Sequence, residues 1–192
     1  MIPLARKGCV LPVWIGNGDP GTDAATVVAC HAWYRWAVQQ AQRLRPDVVL
    51  IGGCCSGAQG SDAATDRTAY SRTATVLRRF ARTVIVIEDE EPLPIQPVDC
   101  LLAAGATLRS CMTTRSSNTL AFNDSIPQLA KAKHFGFLKT RGWFCYQDQC
   151  PMVVGTTIVY RDVGHITPEY AAELAGPFRT AFRQCLFATC PN

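Results

Sequence analysis

Between Thr26 and Arg45 the apolar residues Cys30, Trp33, Tyr34, Ala37, Val38, Ala41 and Leu44 recur at intervals of three and four, the spacing that lines one face of an α-helix. Pro46 stops that helix. The run that follows, RPDVVLIGG, is continuous and largely β-branched, which predicts a strand buried on both faces. A second helix is predicted from about Asp62 to Arg82, leading into another buried strand in TVIVIED. Helix, strand, helix, strand in that order predicts βαβ units and a mainly parallel sheet with helices on both faces, an α/β fold.

The pattern then becomes irregular. The acidic run EDEE and the prolines Pro92, Pro94 and Pro97 break any regular element, so Glu88 to Pro97 reads as a solvated loop at the carboxyl end of a strand. Asp99 to Arg115 reads as a short disulfide-tied excursion and Ser117 to Ala132 as another helix. HFGFLKT reads as a short strand, WFCYQDQCP as a pinned loop and MVVGTTIVY as a strand or hairpin. Thr167 is a good N-cap with Pro168 in the first helical position, so the last helix is predicted from Pro168 to Gln184. There is no internal repeat or low-complexity tract.

Composition narrows the class. A chain of 192 residues with 48% hydrophobic and 18% charged content builds one core, so residues 1–192 are expected to form a single domain. No apolar run approaches the roughly 20 residues that cross a bilayer, and the N-terminus carries no recognisable signal peptide. The net charge of +4 is spread over scattered arginines, which excludes the clustered basic groove of a nucleic-acid binder.

The ten cysteines change the picture more. Zinc sites favour closely spaced pairs repeated at matching distance, and Cys145 and Cys150 have no second such pair nearby, so no metal site is expected. The groupings local in sequence are Cys9 with Cys30, Cys100 with Cys111, Cys145 with Cys150 and Cys185 with Cys190, leaving the adjacent Cys54 and Cys55. Several disulfides imply an oxidising compartment. An exported domain without its own signal is expected to have that signal, or an anchor, in sequence outside these residues.

Three stretches carry candidate chemistry. GNGDPG, Gly16 to Gly21, has the glycine spacing of a dinucleotide fingerprint, but Pro20 interrupts it and Asp47 precedes its strand instead of following it. A glycine-rich surface loop is the simpler reading. GGCCSG, Gly52 to Gly57, follows a strand and precedes a helix, where backbone amides meet ligands in open α/β sheets. Ser56 within it invites a nucleophile reading, yet the spacing is not G-x-S-x-G; a plain connection and an amide-donating turn stay open beside it. Of the three histidines, His31 falls inside a helix and His134 beside lysines. His165 instead lies between a strand and a helix start, three residues after Asp162. A carboxylate bonded to one imidazole nitrogen fixes the tautomer and leaves the other free to take a proton from a hydroxyl nucleophile.

The stretch WFCYQDQCPMVVGTTIVYRDVGHITPEYAAELAGPF closely resembles the end of the SGNH-hydrolase-like domain attached to acyltransferase-3 membrane proteins. PLARKGC resembles the segment with that family's second block, CHAWYRWAVQQAQRLRPDVVLIGG the lead-in to its third, and VDCLLAAGATLRSC its paired-cysteine insertion. The resemblance implies a three-layer αβα sandwich of flavodoxin-like type. It implies Asp162 as orienting acid and His165 as general base of a Ser-His-Asp triad, with Gly8 and Gly53 near the oxyanion hole. Two features depart from the family pattern: the third block lacks its usual asparagine, and no G-D-S-H run with the nucleophilic serine is present. The chain is therefore expected to be N-terminally truncated, without its first strand, unless catalysis has been lost.

The function this implies is extracytoplasmic acyl transfer to or from cell-envelope glycan hydroxyls, or hydrolysis of a small acyl ester. A membrane acyltransferase-3 domain would be the partner, and no metal or organic cofactor is implied. The alternatives are a non-catalytic extracytoplasmic domain that binds a glycan or a partner, and an intracellular nucleotide-binding α/β protein in which GNGDPG holds phosphate and the cysteines stay reduced.

Overall fold

The computed structural model describes residues 1–6, 9, 23–53, 63–88, 90, 93–115 and 117–187. Helix α1, Ala24–Leu44, begins where Asp23 accepts the Thr26 backbone N–H at 2.9 Å, and ends at Arg45, which turns left-handed (φ 46°) ahead of Pro46. Strand β1, Val48–Ile51, helix α2, Ala63–Leu77, and strand β2, Thr83–Ile87, follow. After α3, Pro97–Leu101, and β3, Thr113–Thr114, come α4, Ser117–Lys133, and β4, Gly136–Leu138. Strands β1, β2 and β4 form a parallel sheet in that order, with Val49 beside Val84 and Val86 beside Phe137.

The alternation along β2 explains the layers. Val84 and Val86 point to one face, where Tyr70, Ala74 and Leu77 of α2 meet Phe122, Ile126 and Ala130 of α4. The Tyr70 and Phe122 rings lie 5.2 Å apart, and α1 docks on α2 through the Tyr34 hydroxyl, which donates to Thr73 at 3.2 Å. Ile85 points to the other face, where Leu138, Phe178, Ala181 and Phe182 close over it. The result is the expected αβα arrangement.

From α5, Arg141–Phe144, onward the chain joins Leu93 and the Cys100–Cys111 segment in a second, smaller core. Strand β5, Gln149–Cys150, pairs antiparallel with β3; β6, Val153–Val154, with β7, Thr157–Ile158; and β8, Tyr160–Asp162, with β9, His165–Ile166. Disulfides Cys100–Cys111 and Cys145–Cys150 staple this region, and Cys9–Cys30 ties the N-terminal segment to α1. All three pairings match those read from sequence. Cys185 is also disulfide-bonded and no described cysteine is free; the pairing with Cys190, and Cys54 with Cys55, lie outside the described residues.

Two expectations need correction. The last helix is two helices, α6, Pro168–Glu173, and α7, Ala175–Phe187. The break has a cause in the sequence: Pro177 has no N–H to give the Glu173 carbonyl, so the first helix ends at Leu174 and the chain restarts. The acidic run after β2 is not simply a solvated loop. Glu88 is buried and Glu90 is turned inward on a buried arginine.

Candidate functional site

Strands β8 and β9 are joined by Val163 and Gly164 alone, so Asp162 and His165 sit directly opposite each other. Residues facing across such a tight hairpin have adjacent side chains on one face. Asp162 Oδ1 lies 2.7 Å from His165 Nδ1 and also accepts the Gly164 backbone N–H at 3.0 Å, while Arg161 Nε donates to Oδ2 at 3.3 Å. The Gly164 amide, then the His165 ring, hold the Asp162 carboxyl well down, at about 2. The imidazole is 69% exposed and its Nε2 bonds to no described residue, so that nitrogen faces solvent.

A carboxyl whose folded pKa is depressed adds stability that is fully present above its ordinary value of 3.8 and lost as pH falls through about 2. The Asp162 carboxyl-carbon resonance is therefore expected to titrate with a midpoint near 2. A midpoint near 3.8 would mean that the Gly164 and His165 bonds are not made in solution.

The hairpin is held from below by several elements. Leu93 donates its N–H to the Val163 carbonyl at 2.7 Å, Thr167 donates through its hydroxyl to Ile158 at 2.6 Å, and Val159 donates to Met152 at 2.9 Å. Tyr160, Val163 and Ile166 pack into the second core with Phe144, Met152 and Tyr170. The Tyr170 hydroxyl donates to the Trp143 carbonyl of α5. The site is thus mounted on the disulfide-stapled core, and α7, which follows it, closes the main sheet.

Beneath it are the acids that the sequence reading left in solvent. Glu88, its side chain 3% exposed, accepts the Thr140 and Arg141 backbone N–H groups at 2.8 and 2.7 Å through one oxygen. Its other oxygen lies 3.2 Å from Arg141 Nε, an ion pair not aligned as a hydrogen bond. Thr140 caps α5 without using its own side chain, so Glu88 performs that task from the end of β2. Glu90 pairs with Arg115 at 2.6 Å, and its carboxyl is pushed up to about 7 by burial against the pull of Arg115. The one available signal was position: these residues directly follow a buried strand.

The other candidates divide as follows. Gly53 lies just past the carboxyl end of β1, and a Cβ there would run into the Tyr70 hydroxyl, so only glycine fits that approach. No hydrogen bond or ion pair joins it to Asp162 or His165. Gly8 and Ser56 lie outside the described residues. His31 is half-buried on α1 and His134 is exposed beyond α4, left-handed at φ 57°; neither meets a carboxylate among the described residues. An open groove of about 580 Å³ between α4 and β4, lined among others by Asp124, Lys131, Lys139 and Arg141, does not include Asp162 or His165. No described helix is long and apolar enough to cross a membrane.

Comparison with known proteins bears on these observations in one way. The family described as SGNH domain (fused to AT3 domains) matches residues 2–180. No curated protein and no solved structure matches the chain.

Proposed function

The chain belongs to the family of SGNH domains fused to AT3 domains, and on that premise we propose that Asp162 and His165 are the acid and base of an acyl-transferring site. The domain is hydrolase-like and acyltransferase-associated; the reaction is our reading. The observation that carries it is the 2.7 Å contact between Asp162 Oδ1 and His165 Nδ1, which leaves Nε2 open to solvent. With Nδ1–H given to Asp162, Nε2 holds a lone pair that takes the proton from an attacking hydroxyl and returns it to the departing alcohol. Gly53, at the carboxyl end of β1, is the candidate to present a backbone N–H to the oxyanion. The substrates are acyl esters of cell-envelope glycan hydroxyls. An extracytoplasmic setting is supported by the disulfides, since these persist in oxidising compartments.

The serine that His165 would activate belongs to a G-D-S-H run, and these 192 residues contain none. The test is hydrolysis of p-nitrophenyl acetate by residues 1–192 and by any longer polypeptide of the same reading frame, each beside its His165→Ala variant. Activity in the longer polypeptide that falls by about 10³-fold in His165→Ala is the expected result. Equal activity in both, insensitive to His165, would sink the proposal. Activity in residues 1–192 that disappears in Ser56→Ala would move the nucleophile to the GGCCSG loop.

A further inference from the structure

Under the site hairpin lies a charged pair that proton transfer by Asp162 and His165 does not use. Arg115, just past β3, has a side chain only 2% exposed; its Nη2 meets Glu90 Oε2 at 2.6 Å and its Nε donates to Cys145 Sγ at 3.3 Å. Its Nη1 is buried and has no hydrogen-bond partner among the described residues. The other Glu90 oxygen accepts the Thr140 hydroxyl at 3.2 Å, and the Glu90 side chain keeps 29% of its surface in solvent. Four segments therefore meet at one ion pair: the loop after β2, the exit of β3, the start of α5 and the Cys145–Cys150 hairpin.

Three of those segments also support the site. Three residues beyond Glu90, Leu93 holds the Val163 carbonyl. Cys145 packs in the core that contains Tyr160, Val163 and Ile166. In α5, the Phe144 ring lies 6.4 Å from that of Tyr160 and 5.9 Å from that of Tyr170. Building on the acyl-transfer reading, we infer that Glu90 and Arg115 are positioning residues for the Asp162–His165 pair, and that the seat of the hairpin follows the protonation of Glu90.

The physical argument is one of unequal access. A proton can reach Glu90 from solvent, but Arg115 is sealed in, with its Nη1 unpaired among the described residues. When Glu90 becomes neutral, a buried guanidinium loses its counter-charge, and such a cation draws in water or shifts its surroundings. Among the described residues the groups facing Glu90 are Arg115, Glu88, Thr140, Tyr160 and Tyr170. Burial raises both phenols above their ordinary value, so they stay neutral while Glu90 titrates. Burial and Glu88 push the Glu90 carboxyl up, Arg115 and the Thr140 hydroxyl pull it down, and the balance near 7 puts the change within reach of ordinary pH.

The Gly164 amide, bonded to Asp162, is a reporter inside the site. Its ¹⁵N–¹H resonance in the whole chain is expected to show a step with a midpoint near pH 7 that survives His165→Ala and is lost in Glu90→Gln, an isosteric change that keeps an acceptor for Arg115. Arg115→Lys should keep the step at a displaced midpoint, while Arg115→Met should lose it. A step that disappears in His165→Ala and persists in Glu90→Gln would overturn the inference, as would the absence of any step. These outcomes are separate from the acyl-transfer reading, which stands or falls on the His165 dependence of ester hydrolysis.

Discussion

Asp162→Ala is expected to lower ester hydrolysis by about 10³-fold, and Asp162→Asn by only about 10- to 10²-fold, in the polypeptide that shows activity. Where such an asparagine flips the imidazole tautomer the loss reaches roughly 10⁴-fold. Here the flip is opposed by the local backbone. The same carboxylate oxygen serves both the His165 ring and the Gly164 N–H. An asparagine NH₂ group in that position would oppose the Gly164 N–H donor to donor, so the amide oxygen stays there and still accepts Nδ1–H. Nε2 keeps its lone pair, and what is lost is the negative charge that stabilises the imidazolium. Alanine removes both orientation and charge. Rates for the three proteins, with the His165 ring ¹⁵N shifts read alongside, check the order. An asparagine variant as damaged as alanine, with its Nδ1 unprotonated, would show that Gly164 does not hold the orientation.

That the hairpin was not foreseen, although its two candidate residues were singled out, has a simple reason. Strands of two or three residues have no measurable period, and YRDVGHIT carries its information in the offset between Asp162 and His165, which is visible, rather than in a pattern. The long elements were legible for the opposite reason. Helix α1 was expected to start at Thr26 and begins at Ala24, and the β-branched runs became β1 and β2 as expected. Disulfide partners were readable because each ring closes over a short stretch of chain. The acidic run was misread because composition describes a residue's own preference for water, not what waits for it elsewhere. The donors that take Glu88 out of solvent belong to Thr140 and Arg141, about fifty residues away in sequence. Pro177 did announce the break between α6 and α7, and the pull of a good N-cap at Thr167 hid it.

Glu88→Ala is expected to cost about 3–5 kcal/mol, a fall in melting temperature on the order of 10 °C for a domain of this size. The cost has identifiable parts. Two backbone donors at the start of α5 lose the acceptor they share among the described residues, and the Arg141 guanidinium loses the buried half of its charge pairing, retaining Asp124 at 2.8 Å. Glu88→Gln keeps one oxygen for the backbone donors and should cost less, about 1–3 kcal/mol. Urea unfolding followed by near-ultraviolet circular dichroism measures both; a loss under about 1 kcal/mol for alanine would mean that water replaces the carboxylate easily. The consequence extends beyond stability. Helix α5 supplies the carbonyl that holds Tyr170 and the Phe144 ring that backs Tyr160, so a loosened α5 lowers the floor under Asp162 and His165. Glu88→Ala should therefore impair catalysis even where the protein is still folded, whereas an exposed charge change such as Asp47→Asn should leave both quantities near their starting values, because its ion pair with Arg82 is open to solvent on both sides.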